Sequence, residues 1–399
     1  MKARANGAGH ETFLWICGAW ASLFHSAIAE AQGPLAEDAP LVAEDLGDSG
    51  TGSGVPAPAP VEHNGTPQKT SLAQLFPHFE LHGGMAVYLY QPTNGYEPLY
   101  NIYSRLKIKA HWEWFGLYME PRLTSEKMRS YYDGLIWIQE AYAYAQYQSL
   151  TLKVGKVYKQ LGLFSDNSFY GNIQMYEGLK FDPNSGVSLE GKWGKSWGSE
   201  LFAQYFVVDG VVNASLPGRD TVSIPGARRR NIFTARAQPY FEPNKNLRLQ
   251  LGVSGETFEA DLPEGKNRVG RLALDLKLQA YGLSLWGEVL QQWGAHVNAF
   301  PEPGDPSASP PVPGRSSASN TYLLAGAEWA IGPVVPRYNL SIADYRDVWV
   351  REILHLLGIT YNFHEHGTIY VEYAFWDRHA PSGRTSYDRS LNLTVLGFF

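Results

Sequence analysis

The chain has 399 residues, 44% hydrophobic and 14% aromatic, with charged residues held to 18%; this is room for one large β domain or two ordinary ones. Its 24 Tyr and 12 Trp favour strands and bilayer interfaces over helices. A formal charge of -6 excludes a general nucleic-acid binder, because nothing draws a polyanion over a large surface.

At the N-terminus, Lys2 and Arg4 precede an apolar run from Phe13 to Phe24 and then Ala27-Ile28-Ala29. That order of basic, apolar and small residues is a secretory leader, residues 1–29, cleaved after Ala29; His10 and Glu11 are unusual in it. The only cysteine, Cys17, falls inside the leader, so the mature chain has no disulfide or thiolate metal site. Ile16 stands where a lipoprotein box needs a small residue, which argues against lipidation.

Residues 30–77 are rich in Pro, Gly, Ser and acids, with Pro-Ala-Pro-Ala-Pro at 56–60. They cannot bury enough apolar area to offset chain entropy and read as a disordered periplasmic tether. An inert linker is preferred there to a partner-binding tail.

From 78 to 399 the pattern changes. No stretch reaches 18 consecutive apolar residues, so entry into a membrane requires a closed barrel. In 99–112, Tyr100, Ile102, Leu106, Ile108, Ala110 and Trp112 take one face. Asn101, Tyr103, Arg105, Lys107, Lys109 and His111 take the other, a sorting no helix produces. A cation facing lipid near the midplane costs about 2–4 kcal/mol, so the basic face must point inward. Similar alternation recurs at 247–257, 268–280 and 368–377. A soluble sandwich alternates too, with the polar face outside.

Connection lengths separate these two readings. Sixteen strands are expected near 78–90, 99–112, 115–124, 135–147, 149–158, 185–193, 199–208, 230–241, 247–257, 268–280, 283–293, 320–331, 335–345, 353–363, 368–377 and 389–399. The segments 135–147 and 353–363 do not alternate cleanly. With both termini periplasmic, every inner turn is brief, while outer connections include 159–184, 209–229 and 294–319. Sorting by parity is the habit of outer-membrane barrels. The fold expected is therefore an all-β transmembrane antiparallel barrel occupying 78–399.

In Ser390–Phe399, Leu391, Leu393, Val395, Gly397 and Phe399 share one face, and Ser390, Asn392 and Thr394 the other. This segment resembles the terminal strand of Gram-negative outer-membrane β-barrels, whose last phenylalanine is read by the barrel assembly machinery. Gly397 departs from that pattern. Gln139-Glu-Ala-Tyr142, Leu150-Thr-Leu-Lys-Val-Gly-Lys156 and Gly162-Leu-Phe164 resemble the hairpin entering the third loop of Gram-negative porins, most closely the phosphate-selective porin-like group. Leu285-Trp-Gly-Glu288 and Pro336-Arg-Tyr338 resemble pieces of its late strands. The resemblance implies a homotrimer of sixteen-stranded pores in outer-membrane lipid and lipopolysaccharide, with a third loop folded inward. That loop would carry Asp166, Asn167, Tyr170, Asn172, Glu177 and Lys180. No arginine ladder or lysine cluster marks it, so phosphate specificity is not carried over.

Other candidates for chemistry are weaker. His364-Glu365-His366 has i, i+2 spacing in a turn rather than the helical zinc pattern and reads as solvated, so no metal is expected. Arg228-Arg229-Arg230 suits an anion or lipopolysaccharide, although a solvated loop end is preferred. Trp112, Trp114, Trp193 and Trp197 lie beside inner turns, as an interfacial girdle does. No serine, histidine and acid set stands out, so no catalytic residue and no cofactor is expected.

Inward parity selects Arg105, Lys107, Lys109, Glu120, Glu140, Lys153, Arg236, Arg248, Arg271, Asp275, Lys277, Glu288 and Arg337 as pore lining. Rings of charge in a wet lumen set which ion lingers, and three cations within five residues suggest a mild anion preference. The function expected is passive diffusion of small hydrophilic solutes. Competing readings are a barrel that anchors an outer-membrane enzyme or adhesin, and a soluble carbohydrate-binding sandwich.

Overall fold

The structure, a computed structural model, describes residues 77–93, 98–124, 136–163, 170–176, 179, 183–208, 228–262, 265–294, 319–345, 350–363, 367–380 and 383–398. The expectations for the leader, for the tether up to residue 76, for Asp166, Asn167, Glu177, Lys180, His364–His366 and Phe399 lie outside the described residues.

The first strands are β1 (His78–Pro92), β2 (Leu99–Trp112), β3 (Phe115–Thr124), β4 (Ile136–Tyr147) and β5 (Leu150–Tyr158). A short helix α1 (Ile173–Tyr176) precedes β6 (Pro183–Gly194), β7 (Trp197–Val208), β8 (Arg228–Asn244), β9 (Leu247–Leu262) and β10 (Gly265–Ala280). Then come β11 (Leu283–Trp293), β12 (Ser319–Trp329), β13 (Val334–Tyr345), β14 (Val350–Asn362), β15 (Gly367–Ala380) and β16 (Gly383–Phe398). Each strand pairs antiparallel with its sequence neighbours, and β1 closes on β16 from Gly84↔Phe398 to Pro92↔Ser390. Closure leaves no unpaired edge, the condition for a sheet to stand in hydrocarbon.

The two faces sort as a bilayer requires. Leu249, Leu251 and Val253 on β9, Leu272, Leu274 and Leu276 on β10, and Leu391, Leu393 and Val395 on β16 are all exposed on the outside. Between them, Gln250, Ser254, Arg271, Asp275, Ser390, Asn392 and Thr394 turn inward and are buried. A soluble sandwich has the opposite arrangement, so that reading is overturned. At the short-turn end, Trp114, Tyr147, Trp197, Tyr281, Trp329 and Tyr361 project outward, forming the girdle of aromatic side chains that suits a headgroup layer. Trp112 belongs to the same end and stacks on Phe115 at 4.8 Å.

The short turns follow from local chemistry. Tyr281 and Gly282 both have positive φ, 50° and 85°, as a two-residue hairpin turn matched to strand twist demands. At the other end two connections differ from expectation. β9 and β10 run on to Leu262 and Gly265, and β15 and β16 to Ala380 and Gly383, so only two residues separate the paired strands at each of these outer connections. Above the bilayer the outer face no longer touches hydrocarbon and polar residues occupy it; the ladder continues although the alternation that marks it has gone.

Both poorly alternating segments have structural causes. In β4, a bulge opposite Glu120/Pro121 inserts Gln139, so two successive residues face inward. In β14, Leu354 and Leu356 are buried inside while Leu357 and Ile359 are exposed outside. Both faces of β14 meet apolar surroundings.

Candidate functional site: the barrel interior and the connection between β5 and β6

The interior is not uniformly polar. Leu290, Tyr322, Ala343, Tyr345, Leu354, Leu356, Ala374 and Trp376 form a buried patch on the inner wall from β11 to β15. Leu161, Tyr170, Ile173 and Leu179 of the connection pack on it. This corrects the expectation of an interior lined by polar residues throughout: where chain covers the wall, the wall is apolar for the same reason a core is.

Polar groups fix the path of this chain segment. Gln160 N donates to Gln204 Oε1 on β7 at 2.7 Å, and Gly162 N to Ser254 Oγ on β9 at 2.7 Å. Leu163 N donates to the Glu288 carboxylate on β11. Further on, Ile173 N donates to Ser341 Oγ on β13 at 3.3 Å, and Tyr170 N to Glu372 Oε2 on β15 at 3.0 Å. The Tyr170 hydroxyl donates to Asp388 on β16. Backbone amides that cannot join a ladder thus find wall oxygens, as buried N–H groups must. Asn172 is buried, and its Oδ1 accepts Met175 N at 3.1 Å at the start of α1.

The entry to the connection is held by charge. Lys159 Nζ lies 3.0 Å from Glu256 Oε2, with both side chains almost wholly buried. Arg271 bonds the other Glu256 oxygen, donates to Gln292 at 2.8 Å and lies over the Phe258 ring at 4.7 Å.

The thirteen expected lining residues divide between two environments. Arg236, Arg271, Asp275, Glu288 and Arg337 face inward but are buried. Arg236 grips Asp275 bidentately at 2.6 and 2.9 Å. Arg337 sits 3.9 Å from Glu372, bonds Thr360 and lies 5.0 Å over Tyr370. Glu120 is also buried, accepting from Arg122 Nε at 2.6 Å and the Tyr118 hydroxyl at 2.9 Å. Glu140 accepts Tyr158 N at 3.2 Å.

Arg105, Lys107, Lys109, Lys153, Arg248 and Lys277 keep partial exposure. Lys109 bonds Glu80 at 3.1 and 3.2 Å. Lys153 pairs with Glu190 at 2.8 Å and Arg248 with Glu200 at 3.1 Å. Lys107 stands among Arg105, Arg122, Glu120 and Glu140. Cross-strand register sets Arg105 beside Arg122, so β2 and β3 together present four cations.

Sequence reading did not single out Lys159, Ser254, Glu256, Ser341 or Asp388 as holding the connection, nor Arg122 as lining. Parity would have found Arg122, which shares the face of Glu120. Nothing in the spacing links Lys159 to Glu256, because their contact spans the barrel interior.

A closed sixteen-stranded barrel with an apolar outer belt, an aromatic girdle and charged inner positions is an outer-membrane transmembrane β-barrel. No family model and no curated protein matches the sequence. Among solved structures, the chain resembles the OmpF of Salmonella typhi solved with daunomycin at 13% identity and a TM-score of 0.57, covering 80% of this chain and 97% of that one. It resembles the outer membrane channel DcaP of Acinetobacter baumannii at 13% identity and 0.56, over 82% and 99% of the two chains. The anion-selective porin of Comamonas acidovorans matches at 10% identity and 0.52, over 81% and 100%. These likenesses establish the sixteen-stranded porin fold.

Proposed function

We propose that the protein is a non-enzymatic outer-membrane channel for passive diffusion of small hydrophilic solutes or ions, with the 159–184 connection narrowing it and a mild preference for anions. The observation that carries the reading is the course of that connection. Its described residues lie inside the barrel, bonded to β7, β9, β11, β13, β15 and β16. The cations of β2 and β3 keep partial exposure.

Arg105, Lys107, Lys109 and Arg122 share that wall with three acids, Glu80, Glu120 and Glu140, of which Glu80 is bonded to Lys109 and Glu120 to Arg122. A local excess of cations in a confined aqueous path raises anion occupancy. Reversing all three of Arg105, Lys107 and Lys109 to Glu is expected to move the zero-current potential in a KCl gradient toward cation selectivity. An unmoved potential would show that these residues do not line the narrow part. A purified barrel with no conductance at all would sink the channel reading and leave the anchor for an enzyme or adhesin.

We also propose a homotrimer, with lipopolysaccharide around its rim and the barrel assembly machinery reading the end of β16. The named likenesses give the fold; the trimer is an extension from the porin architecture.

A further inference from the structure

Two imidazoles and a carboxylate meet on the inner face of β1 and β2, at the short-turn end. His78 and His111 are directly opposed in the ladder, and Glu80 is opposed to Lys109 one step further along the same face. The two rings are edge to face with centroids 4.9 Å apart. His111 Nε2 lies 3.5 Å from Glu80 Oε1. One donor atom from each of His78, Glu80 and His111 can be chosen so that all lie within 4.8 Å of one another.

We propose that His78, Glu80 and His111 form a binding site for a divalent transition-metal ion of the zinc or copper class at the periplasmic mouth of the barrel. A tetrahedral ion with bonds of about 2.0–2.1 Å keeps its ligand atoms roughly 3.3 Å apart. The spacing between His111 and Glu80 is already near that value, and the exposed His78 ring closes the remainder by side-chain rotation. Borderline ions favour imidazole with a carboxylate, whereas magnesium and calcium favour oxygen alone. The His111 Nε2 atom is buried, makes no hydrogen bond and lies 3.5 Å from Glu80 Oε1, so an ion bound there would break no existing hydrogen bond of that nitrogen. The strands supply the rigidity: their register is fixed by thirteen consecutive pairs from His78↔His111 to Tyr90↔Leu99, and neither histidine can slide without breaking that ladder. Three protein donors leave a fourth position for water.

Lys109 opposes the ion. Its Nζ lies 3.1 and 3.2 Å from the two Glu80 oxygens, a cation competing for the same carboxylate. This makes a prediction that an incidental histidine pair does not. Copper(II) is the probe, added to the folded full chain in detergent, with folding of every variant checked by heat-modifiable migration on gels. Electron paramagnetic resonance is expected to show one bound ion coupled to two imidazole nitrogens, displaced by zinc and not by millimolar magnesium. In His78→Ala/His111→Ala the affinity falls by on the order of a hundredfold; in Lys109→Met it rises by on the order of tenfold. The His364→Ala/His366→Ala variant keeps the signal. Retention of the signal in the first variant, its loss in the last, or an unchanged affinity in Lys109→Met would overturn the site. The readout is independent of conductance, so it stands or falls apart from the channel reading.

Discussion

Gly162 lies directly against the inner wall, its amide donating to Ser254 Oγ at 2.7 Å. Its φ is +67°, and an added Cβ would lie 2.2 Å from Glu288 Oε2. Gly162→Ala therefore meets both a left-handed backbone and a carboxylate, at a cost of about 1–2 kcal/mol for the backbone alone. The substitution strains the docking of the connection and not the ladder. The expected result is a larger single-channel conductance with the thermal unfolding of the barrel nearly unchanged. Equal conductance would place the narrowest point elsewhere. At this scale the sequence was partly legible. Parity placed Lys107 and Lys109 on the inner face, but could not tell them from Arg236 and Arg271, which share that orientation and are buried. Whether an inward charge meets water depends on what crosses the interior in front of it.

At the level of strands, β8 and β10 are tied across β9. Asp275 stands opposite Gly252, and a Cβ at 252 would fall 2.3 Å from the carboxylate. The missing side chain lets Asp275 reach over the intervening strand to Arg236. Both partners are 2% exposed or less, so Asp275→Ala strands a guanidinium inside the barrel and is expected to cost about 3–5 kcal/mol, measured by urea unfolding of the refolded barrel. Arg236→Met with Asp275→Leu should recover most of that loss, since an apolar pair of similar volume removes the uncompensated charge. Recovery absent in the double variant would mean that the pair is held by more than its own charges. The strands themselves were legible because a lipid-facing position tolerates few polar groups, a constraint that writes period two into the residues. It failed where that constraint lapses: above the bilayer, where β9, β10, β15 and β16 run on, and in β14, whose inner face is covered.

For the molecule as a whole, the homotrimer proposed above has a direct consequence. Unheated protein is expected to migrate in dodecyl sulfate as an oligomer of three chains and to fall to single chains on boiling, because bilayer-facing ladders resist detergent until heat opens them. A single-chain band before boiling, with the barrel still folded, would remove the trimer and leave the pore. By itself the sequence determined the architecture, because hydrocarbon outside a closed sheet dictates residue by residue which side chains face it, and local turn chemistry spaces the strands. Only the tertiary structure decided which inward side chains are covered, since those contacts join residues from 44 to 218 positions apart and leave no periodic trace. The same holds for His78, Glu80 and His111: their types are visible in the chain, but their meeting is set by the register of β1 against β2.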